Sequence, residues 1–457
     1  MLPNASSGIA ATNFEGGRTV HSRFQVPIKI SSTSTCNLTP NSAHFQLIKQ
    51  AKVIIWDEAP MQQKWIMECV DRTLRILLDN DEPFGGKIIV FAGDYRQVAP
   101  VIPRAGKALT IAQSFINSIL WNKITVLKLT INERIRRSVC KSPKEYKELK
   151  AFAEFLLQIG EGRYPNEDGM VRIPDNLVSK SNNISNFIDE IYGRISDIDP
   201  TKDNPDLFDS AILTPKNEHV RSINKAAINK YPGVMKTYKS IDRVLDEKCI
   251  CHHRIEYLNS LKINGLPEHE LLLKVGAPVM ILRNIDPLNG VCNGTKGIVT
   301  QLFEHVIEIE IKDFNGTKKR IFLHRISLIP SDPVVTVPFK RRQFPIHLAF
   351  AMTINKSQGQ TLKNVGLYLP QPVFGHGQLY VALSRVTHHK NIKLYVVDSS
   401  EHGQFEGVDG VFTRNVVYEE LLTSCYVNEN NVIDLTLECK EQSIEDHVNE
   451  NIIIDLT

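Results

Sequence analysis

Lys52-Val53-Ile54-Ile55-Trp56-Asp57-Glu58-Ala59 decides the fold class. Val53 to Trp56 are β-branched or aromatic, as in a strand buried on both faces of a parallel sheet. The run then ends on two adjacent carboxylates. Ligands of open α/β sheets sit at the carboxyl ends of the strands, so Asp57 and Glu58 emerge where a ligand would be. A nucleotide triphosphatase needs such a pair, one carboxylate for Mg²⁺ and one to position or deprotonate the attacking water. Any strand can end in acidic residues at a turn, so the pair needs support from elsewhere in the chain.

Support comes from Lys87-Ile88-Ile89-Val90-Phe91-Ala92, a second apolar run, which leads into Gly93-Asp94-Tyr95-Arg96-Gln97-Val98-Ala99-Pro100. A glycine permits the tight turn, and polar groups follow at the strand's carboxyl end. Between the two runs, Met61 to Asn80 places Trp65, Ile66, Cys69, Val70, Leu74, Leu77 and Leu78 at helical spacing. The pattern is a β-α-β unit. Asp-Glu-Ala followed about thirty-five residues later by Gly-Asp-x-x-Gln resembles motifs II and III of superfamily-one helicases, within the Pif1 type (superfamily one B).

Composition sets the frame for that resemblance. The chain has 457 residues, 42% hydrophobic and 23% charged, which allows two to four domains. No apolar run approaches the ~18 residues that span a bilayer, and the start lacks the pattern of a secretory signal. Eight scattered cysteines suit a reducing compartment. Cys249, Cys251, His252 and His253 cluster, but no second ligand pair stands at zinc-site spacing. Net charge is +3 and unevenly spread. Residues 425–457 hold eight acidic groups and one lysine, leaving a basic body suited to a polyanion.

The rest of the chain extends the resemblance over residues 4 to about 424. Ala5 to Ala11 and Gly16 to Phe24 resemble motif Ia and its neighbouring DNA-contacting segment; Ser7, Gly8, Thr19, His21 and Ser22 would touch phosphates of one strand without reading its sequence. The phosphate loop Gly-x-x-x-x-Gly-Lys-Ser/Thr precedes motif Ia in the family, and no such run occurs in this sequence: Gly106-Lys107 and Gly86-Lys87 both lack the pattern. The first motor domain is therefore expected to be truncated. Leu129 to Arg134 resembles motif IV, with Glu133 where the family has methionine and Arg134 retained to reach the terminal phosphate. Lys144 to Gln158 reads as a helix, residues 166–208 as surface loops around one helix, and 230–262 as loop-like.

A second α/β region begins at Ala211 to Asn217, followed by a helix at Val220 to Asn229. Val/Ile-rich runs with Asn-Gly turns over 291–345 argue for hairpins and resemble the family's small SH3-like barrel. Ile346 to Met352 reads as one strand leading into Thr353-Ile354-Asn355-Lys356-Ser357-Gln358-Gly359-Gln360-Thr361, which resembles motif V, with Asn355 where many relatives carry histidine. Gln378 to Val386 resembles motif VI.

The resemblance implies two RecA-like α/β domains of the P-loop NTPase type, the first truncated (1–135) and the second split over 210–290 and 346–424. They are joined by a helical and loop connection (136–209), with a β-barrel insertion and a disordered acidic tail. It implies a 5′→3′ DNA helicase of repair, recombination or telomere maintenance, driven by ATP and Mg²⁺, acting on single-stranded DNA and duplex junctions in the nucleus or mitochondrion. Asp57 would hold Mg²⁺, Glu58 would orient water, and Gln97 would sense the terminal phosphate. Arg134 and Arg385 would stabilise transferred charge, Gly359 and Gln360 would border the nucleotide, and Thr353, Lys356 and Ser357 would contact DNA. The rival readings are a DNA-binding or adaptor remnant without turnover, and an incomplete gene prediction whose full product carries the loop.

The tail stands outside the resemblance. Val427 to Thr436 recurs as Val448 to Thr457, identical at eight of ten positions with a spacing of 21. A short apolar run in an acidic tail does not fold alone, so disorder is the expectation. Val432, Ile433 and Leu435, with Ile453, Ile454 and Leu456, resemble motifs that add a strand to the modifier SUMO. Alternatively, one copy packs back onto the body as an edge strand.

Overall fold

A computed structural model describes the chain except residues 130, 133–134, 136–141, 201, 203, 246–254, 313–315, 331–337, 424–431, 435–450 and 457. Arg134 and the Cys249–His253 cluster therefore lie outside the described residues, as do Glu133 and Leu435.

The first sheet is built as the alternation of apolar runs and helical segments demands. In chain order come β1 (Leu2–Ala5), α1 (Gly8–Ala11), β2 (Arg18–Thr19), α2 (Val20–Phe24), α3 (Ala43–Gln50), β3 (Val53–Asp57), α4 (Lys64–Leu78), β4 (Ile88–Gly93), α5 (Lys107–Gln113), β5 (Ile124–Leu129) and α6 (Pro143–Gly160). β1 pairs in parallel with β2 and β3, and β3 pairs in parallel with β4. Trp56 of β3 is fully buried, 6.1 Å from Phe24 and 5.6 Å from Phe91 between ring centroids. α4 lays Ile66, Met67, Val70 and Leu74 into the same core and stops where Asp79 turns left-handed.

The tail contributes to this sheet. Asn451–Leu456 pairs in parallel with both β4 and β5, and Val432–Asp434 pairs in parallel with the other edge of β5. The sheet order is thus β2-β1-β3-β4, then Asn451–Leu456, β5 and Val432–Asp434. These two described stretches borrow the sheet's hydrogen-bonding edges, and the rest of the acidic tail expected to be disordered lies outside the described residues.

A second parallel sheet has the order Ala351–Thr353, Ser210–Thr214, Asn364–Leu369, Ile392–Val396. Every residue of Ser210–Thr214 is buried, as a central parallel strand requires. Beside it lies a five-stranded antiparallel sheet of Lys318–His324, Val306–Lys312, Lys296–Leu302, Pro278–Ile281 and Ile346–Leu348. This sheet reaches beyond 291–345 at both ends. The apolar stretch 346–352 is two strands, one in each sheet, with Ala349 and Phe350 fully buried between them.

Two stretches expected to be loops carry strands. Asn166–Glu167 and Met170–Ile173 pair with each other, and Met170–Ile173 also pairs with Val411–Arg414. The partner is far off in sequence, so no local pattern announced it. Lys236–Lys239 and Ile241–Val244 likewise pair with distant strands at 270–273 and 339–342. There the fully buried Arg341 donates to both oxygens of Asp242, at 3.0 and 2.8 Å, and to the carbonyls of Leu258 and Pro267.

Candidate functional site

The carboxyl ends of β3 and β4 carry the acidic groups, and motifs V and VI of the second sheet close over them. Asp57 ends β3, and Glu58 follows in the left-handed region at φ 54°, which turns the chain away from the sheet and into Ala59. Glu58 Oε2 accepts a 2.9 Å hydrogen bond from Gln358 Nε2. Burial pushes the Glu58 carboxyl up to about 7, with Asp57 and Asp94 adding to the rise while the Gln358 hydrogen bond and the Arg385 charge oppose it. Burial also raises Asp57 above the usual carboxylate range.

β4 delivers Asp94 and Arg96. Asp94 Oδ1 accepts from the Arg96 backbone N–H and from Nε, each at 2.9 Å, and Asp94 Oδ2 accepts from the Tyr380 hydroxyl at 2.9 Å. Arg96 also reaches Glu161 at the end of α6, at 3.2 Å. A Cβ on Gly377 would sit 2.4 Å from the Arg96 carbonyl oxygen, so only glycine lets motif VI come this close to motif III. His376 spans the same joint, bonding the Tyr95 carbonyl through Nε2 (2.7 Å) and accepting from the Tyr418 N–H at Nδ1 (2.8 Å).

Of the expected nucleotide-site residues, Asp57, Glu58, Gln97 and Arg385 come together at this joint. Gln97 Oε1 is buried with no hydrogen-bond partner among the described residues, as is Gln358 Oε1. Arg385 is buried and turned into its own domain, donating to the carbonyls of Val381 (2.8 Å), Ser357 (3.3 Å) and Gln360 (3.1 Å) and to Ser384 Oγ (2.8 Å). Gly359 stands at φ +78°, its Cβ position 3.6 Å from Ala10 of α1. Gln358, Asp94 and Tyr380 were missed by sequence reasoning. All three lie inside quoted motifs, but only their positions across the joint reveal what they do.

The expected DNA contacts divide into two groups. Ser7 and Thr19 cap α1 and α2, accepting from the N–H groups of Ala10 (3.1 Å) and Ser22 (3.3 Å), and burial lowers the His21 pKa. Gly8 packs against the Asn293 carbonyl, where a Cβ would meet oxygen at 2.5 Å. Thr353 and Ser357 are buried, and Ser357 Oγ donates to the Ile354 carbonyl. Lys356 Nζ stands 3.3 Å from His347 Nε2, while His347 Nδ1 lies 2.6 Å from the Leu348 carbonyl. Burial pushes His347 down to about 4. The neutral ring therefore carries its proton on Nδ1 and accepts from Lys356. A cavity of about 770 Å³ adjoins them, its lining including Lys356, Arg221, Lys225 and Lys262 together with Glu218, Glu268 and Glu270.

This arrangement sets two acidic strand ends of one parallel sheet against Gln358 and Arg385 of another, with a cavity rich in basic residues on the second domain's side. Residues 1–170 match the family described as PIF1-like helicase, and 256–302 match the family DNA helicase Pif1, 2B domain. Over these two stretches the chain is similar to the Pif1-type helicases. An ATP-dependent DNA helicase Pif1 from Campylobacter jejuni is 25% identical over 96% of this chain and 90% of its own length. The PIF1 helicase of Xenopus laevis is 25% identical over 86% of this chain, which spans only 54% of that longer protein. Bacteroides Pif1 bound to ssDNA superposes with a TM-score of 0.60 at 25% identity, covering 87% of this chain and 83% of that one. The two RecA-like domains expected from the motifs are the two parallel sheets of this Pif1-type fold.

Proposed function

We propose that this Pif1-type chain is the motor of an ATP-driven 5′→3′ DNA helicase that tracks along single strands toward duplex junctions, in repair, recombination or telomere maintenance. The observation that carries the reading is the hydrogen bond from Gln358 to Glu58. It ties the carboxylate placed to handle the attacking water to motif V, which also holds Thr353 and Lys356 beside the basic cavity. A change at the DNA side thereby reaches the hydrolytic carboxylate through one short segment.

The residues present fit part of the nucleotide site. Asp57 would hold Mg²⁺, which supplies charge neutralisation for the phosphates when bound. Glu58, raised to about 7, is poised to take a proton from water near neutral pH. The unpartnered oxygens of Gln97 and Gln358 suit a hydrated, hydrogen-bonding ligand. Arg385 must leave its carbonyls to meet transferred charge, so its capture belongs to domain closure. The 457 residues contain no Gly-x-x-x-x-Gly-Lys-Ser/Thr run, so what they form is the acidic, phosphate-sensing half of the site.

The alternative reading is a DNA-binding adaptor without turnover. DNA-stimulated ATP hydrolysis by the purified 457-residue chain, compared with its Glu58→Gln variant, separates the two. A rate that falls about 10²–10⁴-fold in the variant supports the motor, because general-base catalysis is worth that much. No hydrolysis by either, with single-strand binding retained, supports the adaptor. Recruitment of the tail to SUMO-modified complexes, with a nuclear or mitochondrial location, is the further part of the proposal, and titrating the full chain with SUMO tests it.

A further inference from the structure

Two free cysteines that the motor does not use meet inside the first domain's core. Cys36 lies in the segment joining α2 to α3, Cys69 lies midway along α4, and their sulfurs stand 3.7 Å apart. Cys69 is fully buried, and Cys36 is 7% exposed. Thr35 and Asn37 on either side of Cys36 are exposed, so this thiol lies just beneath the surface. A small oxidant need not penetrate far to reach the pair.

The backbone holds this contact in place. The Cys36 N–H donates to Thr73 Oγ1 at 2.8 Å, and that hydroxyl donates to the Cys69 carbonyl at 2.7 Å. Arg72 donates through Nε and Nη2 to the Ser34 carbonyl, at 3.2 and 2.8 Å. Residues 34–36 are thus pinned to the turn of α4 that carries Cys69, and the sulfurs can bond without two distant segments being drawn together. The hydrogen bond from the Cys36 thiol holds Cys69 below the usual thiol range, with the Arg72 charge adding to the fall and burial opposing it. The same hydrogen bond raises Cys36. Cys69 is therefore the sulfur that ionises first.

We propose that Cys36 and Cys69 form a peroxide-sensitive dithiol that closes reversibly to a disulfide, stapling the segment between α2 and α3 onto α4. The Cys69 thiolate attacks one peroxide oxygen and the O–O bond breaks. This leaves a sulfenic acid on Cys69 and a hydroxide, which takes up the proton that Cys69 released and departs as water. The Cys36 sulfur then attacks the Cys69 sulfur. The S–S bond forms, and the sulfenic oxygen leaves as a second water with the Cys36 proton. Each sulfur gives up one electron, and the peroxide takes both. The closed loop runs from Cys36 to Cys69 and contains α3, β3, Asp57 and Glu58. Closing it restricts the unfolded chain, so the oxidised protein is the more stable form, and a dithiol reductant reopens it.

Peptide mapping by mass spectrometry on the full chain tests this. Hydrogen peroxide is added to the folded, reduced protein, free thiols are then blocked, and the tryptic peptides 30–49 and 65–72 are weighed. The expected product is the two peptides joined through Cys36 and Cys69, lighter than their sum by two hydrogens and separated again by dithiothreitol. The melting temperature of the unaltered protein should rise by about 5 °C or more on oxidation and fall back on reduction. Cys36→Ala and Cys69→Ala should each abolish that shift, and the mapping itself needs no variant, so it decides even where a core substitution fails to fold. The proposal is overturned if both thiols are still blocked as free after peroxide, or if either is joined to a different cysteine instead. Cys69 carried on to sulfinic acid, or a joined protein that melts no higher than the reduced one, would overturn it as well.

Discussion

The Tyr380 hydroxyl donates to Asp94 Oδ2 at 2.9 Å, joining motif VI of one sheet to motif III of the other. Asp94 is 2% exposed, and its other oxygen is already taken by Arg96. Tyr380→Phe therefore leaves a buried carboxylate oxygen without this donor, a loss worth about 1–3 kcal/mol. The expected outcome is a lower melting temperature with single-strand binding little changed. An unshifted melting curve would show that the joint does not depend on this bond.

Gln358 holds Glu58 on the acidic side of where burial alone would leave it. Gln358→Ala removes a hydrogen bond to the ionised form, so the Glu58 pKa should climb further above about 7. A base must be deprotonated to act, so the acidic limb of the pH–rate profile should move to higher pH. The profile of hydrolysis against pH, measured for both proteins, checks the sign.

The same carboxyl makes stability depend on pH. Its folded-state pKa is raised, so its contribution is intact below the ordinary value of 4.5 and is lost as pH rises through about 7. Glu58→Gln removes that loss and keeps an acceptor for Gln358. Melting temperatures of the two proteins should diverge in favour of the variant above pH 7 and draw together near pH 5.

Asp242 and Arg341 form an ion pair with side chains 0% and 1% exposed. Removing one partner of such a pair strands the other charge, at about 3–5 kcal/mol. Asp242→Ala should lower the denaturant midpoint by a corresponding amount, far more than Asp206→Ala, whose bridge to Lys363 is half exposed.

Lys296 is buried, donates to the Ser210 carbonyl at 2.5 Å, and is pushed down to about 7 by burial. Because its folded-state pKa is depressed, holding it in place is costly below pH 7, and the cost fades as pH rises toward 10.5. Lys296→Met should gain relative stability most at pH 6 and least at pH 10, as melting temperatures would show.

Much of the motor was legible because its elements are local. The run 52–59 gave a strand at 53–57, the periodicity over 61–80 gave a helix at 64–78, and 144–158 gave one at 143–160. Where pairing partners lie far apart in sequence, local patterns fell silent: Met170–Ile173 needs Val411–Arg414, and Ile241–Val244 needs 339–343. At the site, Asp57 and Glu58 stood out as a carboxylate pair at a strand end, while Gln97 and Arg385 were singled out only through the resemblance to the helicase motifs. The hydrogen bonds of Gln358 and Tyr380 depend on how two domains meet, which no spacing within one motif encodes. The inward turn of Arg385 was hidden for a different reason, since its acceptors include motif V carbonyls of the same domain that lie 25 and 28 residues away in sequence.

Only Ala349 and Phe350 separate the strand Ile346–Leu348 in the antiparallel sheet from Ala351–Thr353 in the second parallel sheet. Both are fully buried, and the Phe350 carbonyl accepts from the Ile212 N–H at 2.9 Å, so this hinge has no slack. A twist of the antiparallel sheet must arrive at Thr353 and Lys356 within a few residues. The antiparallel sheet is thereby geared to the segment that lines the cavity, and a load on one is felt as torque on the other.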